Sequence, residues 1–337
     1  MSAPDQAIIL PEMPSVEGLR FRHICGEQDA EGLYQVRAGR VARDQVDLQS
    51  ISEGLPSREE IGASLAKLVA AQQQHRRLVA EVNGRMVGYS LVESWFEQDG
   101  RWVYLTVGWV LPEWRERGIG TAMLRWGERT ARQMAAADHP GEPFEFASNA
   151  SSTETDTAAL LRHEGYYVGY TVLEMALDTA ALPPPQPLPA GIEVRPARPE
   201  HYPLIADSMI ASYRDEYPGH RFQETSDAAD SIAGLEEPVH DPTLWQIAWD
   251  GQQVVGLVIP KIEKGRASLY DVSVRPAWRR RGLARALLTR ALHAVRQRGV
   301  EAIRVNTVAE FPTCAKDLYR SVGFRLVKEF PRYRKSP

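Results

Sequence analysis

The sequence predicts an α/β protein made of two tandem domains of one kind, each a mixed, mostly antiparallel sheet flanked by helices. Three observations predict it. The chain has 337 residues, more than a single domain usually holds. The stretch ALPPPQPLPAG, residues 181–191, carries five prolines and divides the chain almost evenly. Proline fixes φ and removes a backbone donor, so this stretch reads as an extended connector. Finally, the two sides of the connector align with each other. The expected boundaries are a domain over 1–181, a linker over 182–190 and a second domain over 191–337.

Each element has its counterpart. GLRFRHI from Gly18 and GIEVRPA from Gly191 alternate as opening strands that lead into helical segments. LVAEVNGRMVGYSLV from Leu78 and WQIAWDGQQVVGLVI from Trp245 read as β-hairpins. Asn83-Gly84 and Asp250-Gly251 are expected to supply the positive φ values of their two-residue turns. LTVGWVLPEWRERGIG from Leu105 matches LYDVSVRPAWRRRGLA from Leu269, a strand and a turn that lead into a helix. LLRHEGYYVGY from Leu160 matches LYRSVGFRLVK from Leu318, a helix end and a last strand. Gly256 follows Gly88 by 168 positions, Gly282 follows Gly118 by 164, and Gly323 follows Gly165 by 158. Slow drift with unchanged order is the mark of a duplicated domain with small loop differences.

The most charged short stretch is WRRRGLARALL, residues 278–288, and its twin is WRERGIGTAML, residues 114–124. SLYDVSV before it is a strand that Pro276 must end. After it Leu283, Leu287, Ala291 and Val295 recur at four-residue spacing, with Leu288 and Leu292 alongside, the stripe of an amphipathic helix. Ile119, Met123, Trp126 and Met134 do the same in the first half. The arginine–glycine segment is therefore a turn between a strand and a helix N-terminus. Such a terminus offers unpaired N–H groups and the positive end of the helix dipole, which favour an anion. Gly282 and Ala284, like Gly118 and Gly120, let the backbone approach a phosphate closely. The pattern common to both copies is Arg-x-x-Gly-x-Gly/Ala, and the middle Arg280 is Glu116 in the twin. It fits neither a phosphate loop ending in Gly-Lys-Ser/Thr nor Gly-x-Gly-x-x-Gly.

With this turn directly after a strand, and a terminal Tyr-x-x-x-Gly-Phe beyond it, each half resembles the GNAT superfamily of N-acetyltransferases. The resemblance covers essentially the whole chain as two copies. It implies an enzyme that moves an acetyl group from acetyl-CoA directly to a primary amine of a small molecule. It also implies that backbone groups of Val272, Ser273 and Val274 hold the pantetheine arm, which pairs like an added strand. Arg279, Arg280, Arg281, Gly282, Leu283, Ala284 and Arg285 would hold the pyrophosphate. In the first half Val110, Arg115, Arg117, Gly118, Ile119 and Gly120 correspond, with Glu116 between them.

The family often places a general acid where Tyr319 stands, and a tyrosine hydroxyl is protonated at neutral pH, its reference value being about 10. Leu161 occupies the matching position in the first half and has no proton to give. Chemistry is therefore expected in the second half, with the first serving structure or acceptor binding. Asp271 is a candidate base, and a strand-end hydrogen-bonding role stands beside that reading. Alternation would put Leu269, Asp271 and Ser273 opposite Tyr270, Val272 and Val274. The asparagine that many members carry seven residues before the tyrosine is Pro312 here, and Asn306 is the residue expected to take over part of its contact with the cofactor. Cys314 reads as a small buried hydrophobe. From Phe222 to Trp245 there are six acidic residues and no Lys or Arg, a rim suited to a cationic amine or simply a solvated loop.

Composition narrows the alternatives. A net charge of −4 argues against a nucleic-acid module, although the arginine run alone would allow one. Cys25 and Cys314 are the only cysteines and the eight histidines show no ligand spacing, so no metal is expected. The N-terminal segment has no basic leader and no stretch is apolar enough to span a bilayer, which reads as a cytoplasmic protein without membrane contact, a monomer or homodimer. A non-catalytic acetyl-CoA-binding sensor or scaffold, or an acetyltransferase acting on protein, remain the competing readings.

Overall fold

The protein's structure, a computed structural model, describes residues 6–214, 228–310 and 315–337. The first half runs β1 (Leu19–His23), α1 (Ala30–Gly39), α2 (Arg58–Ala70), β2 (Arg77–Val82), β3 (Arg85–Phe96), β4 (Trp102–Val110), α3 (Ile119–Asp138), β5 (Phe144–Asn149), α4 (Thr155–His163) and β6 (Tyr167–Asp178). The second half repeats that order as β7 (Ile192–Arg195), α5 (Tyr202–Arg214), α6 (Ala228–Leu235), β8 (Gln246–Asp250), β9 (Gln253–Glu263), β10 (Arg266–Val274), α7 (Leu283–Gln297), β11 (Ala302–Val308), α8 (Ala315–Ser321) and β12 (Arg325–Lys335).

Local chemistry sets several boundaries. Ser57 and Glu60 form a reciprocal capping box that starts α2. Asn83 and Gly84 take φ values of 50° and 80°, so the first hairpin has the left-handed pair that such a turn requires. The second hairpin differs from expectation. Asp250 is the last paired residue, opposite Gln253, and the turn is Gly251-Gln252 with Gly251 at φ 57°. A glycine in the first central position allows a turn with one left-handed residue, and Asp250 is freed to accept a hydrogen bond from Trp278 Nε1 at 3.0 Å.

The chain forms two compact units. Unit 1 holds Met1–Leu48, Glu53–Gly169 and Phe330–Pro337, and unit 2 holds Gln49–Ser52 and Tyr170–Glu329. These differ from the contiguous halves 1–181 and 191–337 because the last strands are exchanged. In unit 1 the end of β12 pairs antiparallel with β5, Tyr333 opposite Ser148. In unit 2 β6 pairs antiparallel with β11, Met175 opposite Val305. Both exchanged strands bury apolar side chains, Tyr333 in one core and Met175 in the other. A sequence repeat shows that two strands are alike; it carries no signal of which sheet each one joins.

Each unit is a mixed sheet covered on two faces. In unit 1, α3 packs Ile119, Met123 and Trp126 on one face, against Phe21, Tyr104 and Phe146. Leu33 and Val36 of α1 and Ile61 and Leu65 of α2 cover the other, against Val79 and Tyr89. In unit 2, Leu283, Leu287, Ala291 and Val295 of α7 form the apolar stripe against Val255, Val258, Ile303 and Val305. Tyr202, Ile205 and Met209 of α5 cover the opposite face against Ile247, Leu257 and Ile259. The proline-rich segment is anchored along α7. The Gln186 amide donates to Thr289 Oγ1 at 3.2 Å, and His293 Nε2 lies 2.9 Å from the Pro183 carbonyl. Among the described residues no helix is long and apolar enough to cross a membrane.

Candidate active site

The site begins at a fork between parallel strands. β4 and β5 pair from Trp102 opposite Phe144 to Leu105 opposite Ala147, after which β4 runs on to Val110. β10 and β11 pair at Ala267 opposite Ile303 and Ser268 opposite Arg304, after which β10 runs on to Val274. Beyond each fork the facing strand edges have backbone groups that do not pair with each other, a place for an extended amide chain. Val110, Val272, Ser273 and Val274 lie on these strand ends.

At the end of each forked strand comes the arginine–glycine turn, with the same backbone in both units. Arg280 and Glu116 take φ values of 61° and 59°, and Gly282 and Gly118 take 82° and 81°. A non-glycine residue in the left-handed region is uncommon, so its recurrence at matched positions marks a built turn. Gly282 caps α7 and Gly118 caps α3 with no side-chain hydrogen bond, leaving the first-turn N–H groups to an outside partner.

The arginines of the turn divide into two kinds. Arg279 donates from Nε to the Val274 carbonyl at 2.9 Å and from Nη2 to the Ser212 carbonyl at 2.7 Å. Arg115 donates from Nε to the Val110 carbonyl at 3.0 Å, and its other nitrogens meet both Asp44 oxygens at 2.6 and 2.8 Å. The first arginine of the motif thus ties the turn to the strand end. Arg280, Arg281 and Arg285 are exposed and make no ion pair among the described residues, so they are the cations on offer to a phosphate. Leu283 is core, and Ala284 is half-buried behind the glycine.

Unit 1 offers less. Glu116 and Thr121 stand where Arg280 and Arg285 do, and Arg117 lies over the Trp114 ring at 4.9 Å. Pro14 comes within 3.5 Å of where a Cβ on Gly118 would sit, whereas the corresponding point on Gly282 meets nothing within 4 Å. Ile119 is buried, and Gly120 faces Leu160. Unit 1 does keep a cavity of about 220 Å³, bounded by the fork at Thr106, Gly108 and Ser148, by Gly118 and Gly120 of the turn, and by Leu161.

A bulge separates the two units further. Register between β9 and β10 shifts between Leu269 and Asp271, whereas β3 and β4 pair without interruption from Gly88 opposite Val110 to Phe96 opposite Trp102. The extra residue, Tyr270, reverses the alternation expected from sequence. Leu269, Val272 and Val274 face the α7 core, and Asp271 and Ser273 face α5, opposite Ile259 and Leu257. Leu269 is therefore not on the side of Asp271, because a bulge moves every following side chain to the other face. Asp271 is buried, and its Oδ2 accepts from the Tyr213 hydroxyl at 3.1 Å.

Tyr319 is buried, part of the α7 core, with its ring edge-on to Phe324 at 5.5 Å. Asn306 sits on the α5 face of β11 and donates from Nδ2 to Ser52 Oγ at 3.0 Å. Pro312, Cys314 and the part of the acidic segment over 222–227 lie outside the described residues.

One cluster has no counterpart in the sequence reading. Trp109 of unit 1 occupies the place of Ser273, and Val107 that of Asp271, at the 164-residue offset. The Trp109 ring stacks on Tyr89 at 6.0 Å and carries Arg37 and Arg40 at 4.7 and 5.2 Å. Aromatic and cationic groups fill the α1 side of unit 1, where unit 2 has a carboxylate and a hydroxyl. Residue-by-residue comparison of GWVLPEW with VSVRPAW shows the substitution, though not the arginines that cover it.

A forked parallel pair followed by an arginine–glycine turn into a helix, present twice, defines an acyltransferase fold. The chain matches the acetyltransferase (GNAT) family over residues 48–140 and 206–324, and it belongs to that family, whose members use acetyl-CoA as co-substrate. It is similar to the mycothiol acetyltransferase of Kineococcus radiotolerans, 31% identical over 284 residues, covering 81% of this chain and 86% of the relative. The mycothiol acetyltransferase of Geodermatophilus obscurus is 27% identical over 262 residues, covering 73% and 78%. In fold it resembles a GCN5-related N-acetyltransferase from Sphaerobacter thermophilus, with a TM-score of 0.76, 21% identity and coverage of 96% and 97%. A tandem GNAT protein from the clavulanic acid biosynthesis pathway gives a TM-score of 0.63 at 14% identity, covering 94% and 98%.

Proposed function

We propose that the protein transfers an acetyl group from acetyl-CoA directly to a primary amine of a small molecule, and that unit 2 performs the chemistry. The observation that carries this reading is the contrast across the bulge. Only unit 2 sets a carboxylate, Asp271, on the α5 face of the forked strand, with a tyrosine, Tyr319, at the position where unit 1 has Leu161.

Acetyl-CoA, when bound, supplies the acetyl group as a thioester. Arg280, Arg281, Arg285 and the first-turn N–H groups of α7 hold its phosphates, while the edge of β10 from Val272 to Val274 holds its amide arm. Asp271 removes the proton of the incoming ammonium, directly or through water, so that nitrogen can attack the carbonyl carbon. Tyr319 gives its proton to the sulfur as the carbon–sulfur bond breaks. The arm passes through the fork to Tyr319, the nitrogen sheds its second proton to solvent as the amide forms, and the hydroxyl recovers its proton from solvent.

Unit 1 keeps a cavity at its fork but has Leu161 for Tyr319 and Trp109 for Ser273, which favours a binding or structural role there. The name of the curated relatives makes an amine of the mycothiol kind the first acceptor to try. Release of free CoA, followed across amines including an amino sugar, a polyamine, an aminoglycoside and a lysine-containing peptide, tests the reading. Release with a small amine is the expected result. Binding of acetyl-CoA without release for any amine would support a sensor instead, and release with the peptide alone would support a protein acetyltransferase.

A further inference from the structure

At and beyond the fork of unit 2, polar side chains stand on three adjacent strands of the α5 face: Asp271 and Ser273 on β10, Arg304 and Asn306 on β11, and Glu174 on β6. Their neighbours Val272, Val274, Ile303, Val305, Met175 and Leu177 turn the other way, into the α7 core or packed against it. Such a polar row across a sheet is unfavourable unless polar groups meet it.

Part of what meets it is Gln49–Ser52, a segment of the first half of the sequence that belongs to unit 2. Glu174 is fully buried at 0% exposure, and it is held by donors from two directions. Ser50 Oγ donates to Oε2 at 2.5 Å, the Ile51 amide to Oε1 at 3.2 Å, and Arg304 Nη1 to Oε1 at 2.6 Å. Ser50 Oγ also accepts from the Ser52 amide at 2.9 Å, which fixes the next residue. Ser52 is then placed so that its Oγ meets Asn306 Nδ2 at 3.0 Å, in a contact open to solvent. Asn306 Oδ1, by contrast, is buried with no hydrogen-bond partner among the described residues. A carbonyl oxygen in that state is an acceptor waiting for a donor.

We propose that Ser52 and Asn306 contact the amine substrate in unit 2 and help set its specificity, and that Glu174 is the positioning residue that holds Gln49–Ser52 over β11. The proposal rests on unit 2 being the catalytic one. Asn306 stands two residues past the fork, on the sheet face that also carries Asp271, and so on the side from which Asp271 would meet the amine. Its unpartnered Oδ1 suits an N–H or O–H of the substrate, and Ser52 Oγ adds a second polar group. Glu174 does not touch the substrate. Its carboxylate fixes Gln49–Ser52 as a wall, with Arg304 balancing its charge.

The test is steady-state kinetics with whichever amine of the panel the wild-type protein acetylates best. Ser52→Ala and Asn306→Ala are each expected to raise KM for the amine about three- to ten-fold, the range of one hydrogen bond, while KM for acetyl-CoA stays within about two-fold. Ser52→Thr keeps the hydroxyl and should restore most of the loss. Glu174→Gln should raise the amine KM as well, and a thermal melt reports whether it folds. Should Glu174→Gln unfold, the exposed Ser52 variants still decide the matter. An unchanged amine KM in Ser52→Ala and Asn306→Ala, or an effect on acetyl-CoA KM alone, overturns the proposal while leaving the catalytic reading intact. No CoA release by the wild-type protein with any amine removes both.

Discussion

Arg279 Nε lies 2.9 Å from the Val274 carbonyl oxygen, and four residues of chain are folded back between them. Arg115 and Val110 repeat the contact at 3.0 Å. Each strand end lies past the last pairing with its parallel neighbour, and a charged donor satisfies its carbonyl. The motif arginine therefore shapes the arginine–glycine turn. Arg279→Met should lower stability by about 1–3 kcal/mol, as expected when a hydrogen bond to a charged donor is lost. Arg281→Met, at an exposed position, should leave it nearly unchanged. Denaturant melts of the two variants check the difference.

The exposed arginines should act on affinity instead. Replacing Arg280, Arg281 and Arg285 together with serine is expected to raise KM for acetyl-CoA about ten-fold or more at low salt, and by less as ionic strength rises. Arg117→Ser in unit 1 should leave that KM unchanged. Initial rates at two salt concentrations measure both.

The strand exchange makes a prediction about which unit a terminal deletion damages. Arg332, Tyr333, Arg334 and Lys335 pair with β5, and Tyr333 is 1% exposed in the core of unit 1. Removing residues 330–337 should expose the β5 edge and cost several kcal/mol of unit 1 stability, comparable to losing a large core side chain. Hydrogen exchange should show lost protection over Phe144–Asn149, with β10 and β11 retaining theirs. The opposite pattern would mean that β12 stabilises the half in which it is encoded.

That same strand carries a pH effect. Burial pushes the Glu97 carboxyl up to about 7, with the Arg334 guanidinium, 2.6 Å away, pulling it down. The folded state therefore holds a proton that the unfolded chain would release near its ordinary carboxylate range. Stability from this group is present below that range and is lost as pH rises through about 7. Melting temperature should fall from pH 5 to pH 8, and Glu97→Gln should flatten that part of the profile.

Much of this was legible in the sequence for a physical reason. Strand alternation, the four-residue stripe of α7 and the Arg-x-x-Gly turn are local patterns, and each appears twice. Contacts made by residues far apart in the chain were not legible. The bulge at Tyr270 changes which face Leu269 occupies without altering the residue pattern. The ties from Ser50 to Glu174 and Ser52 to Asn306 span 124 and 254 positions. The setting of Trp109 was not legible either, because the arginines that cover it, Arg37 and Arg40, come from α1 and the turn after it.

The proposed division of labour between the units rests on Tyr319, and single-turnover release of CoA tests it most directly. With amine saturating, Tyr319→Phe should slow the step about ten-fold or more, as expected for loss of a general acid, while the dissociation constant for acetyl-CoA stays within about two-fold. An unchanged rate in Tyr319→Phe, or a larger change from Leu161→Tyr than from Tyr319→Phe, would contradict the placement of chemistry in unit 2.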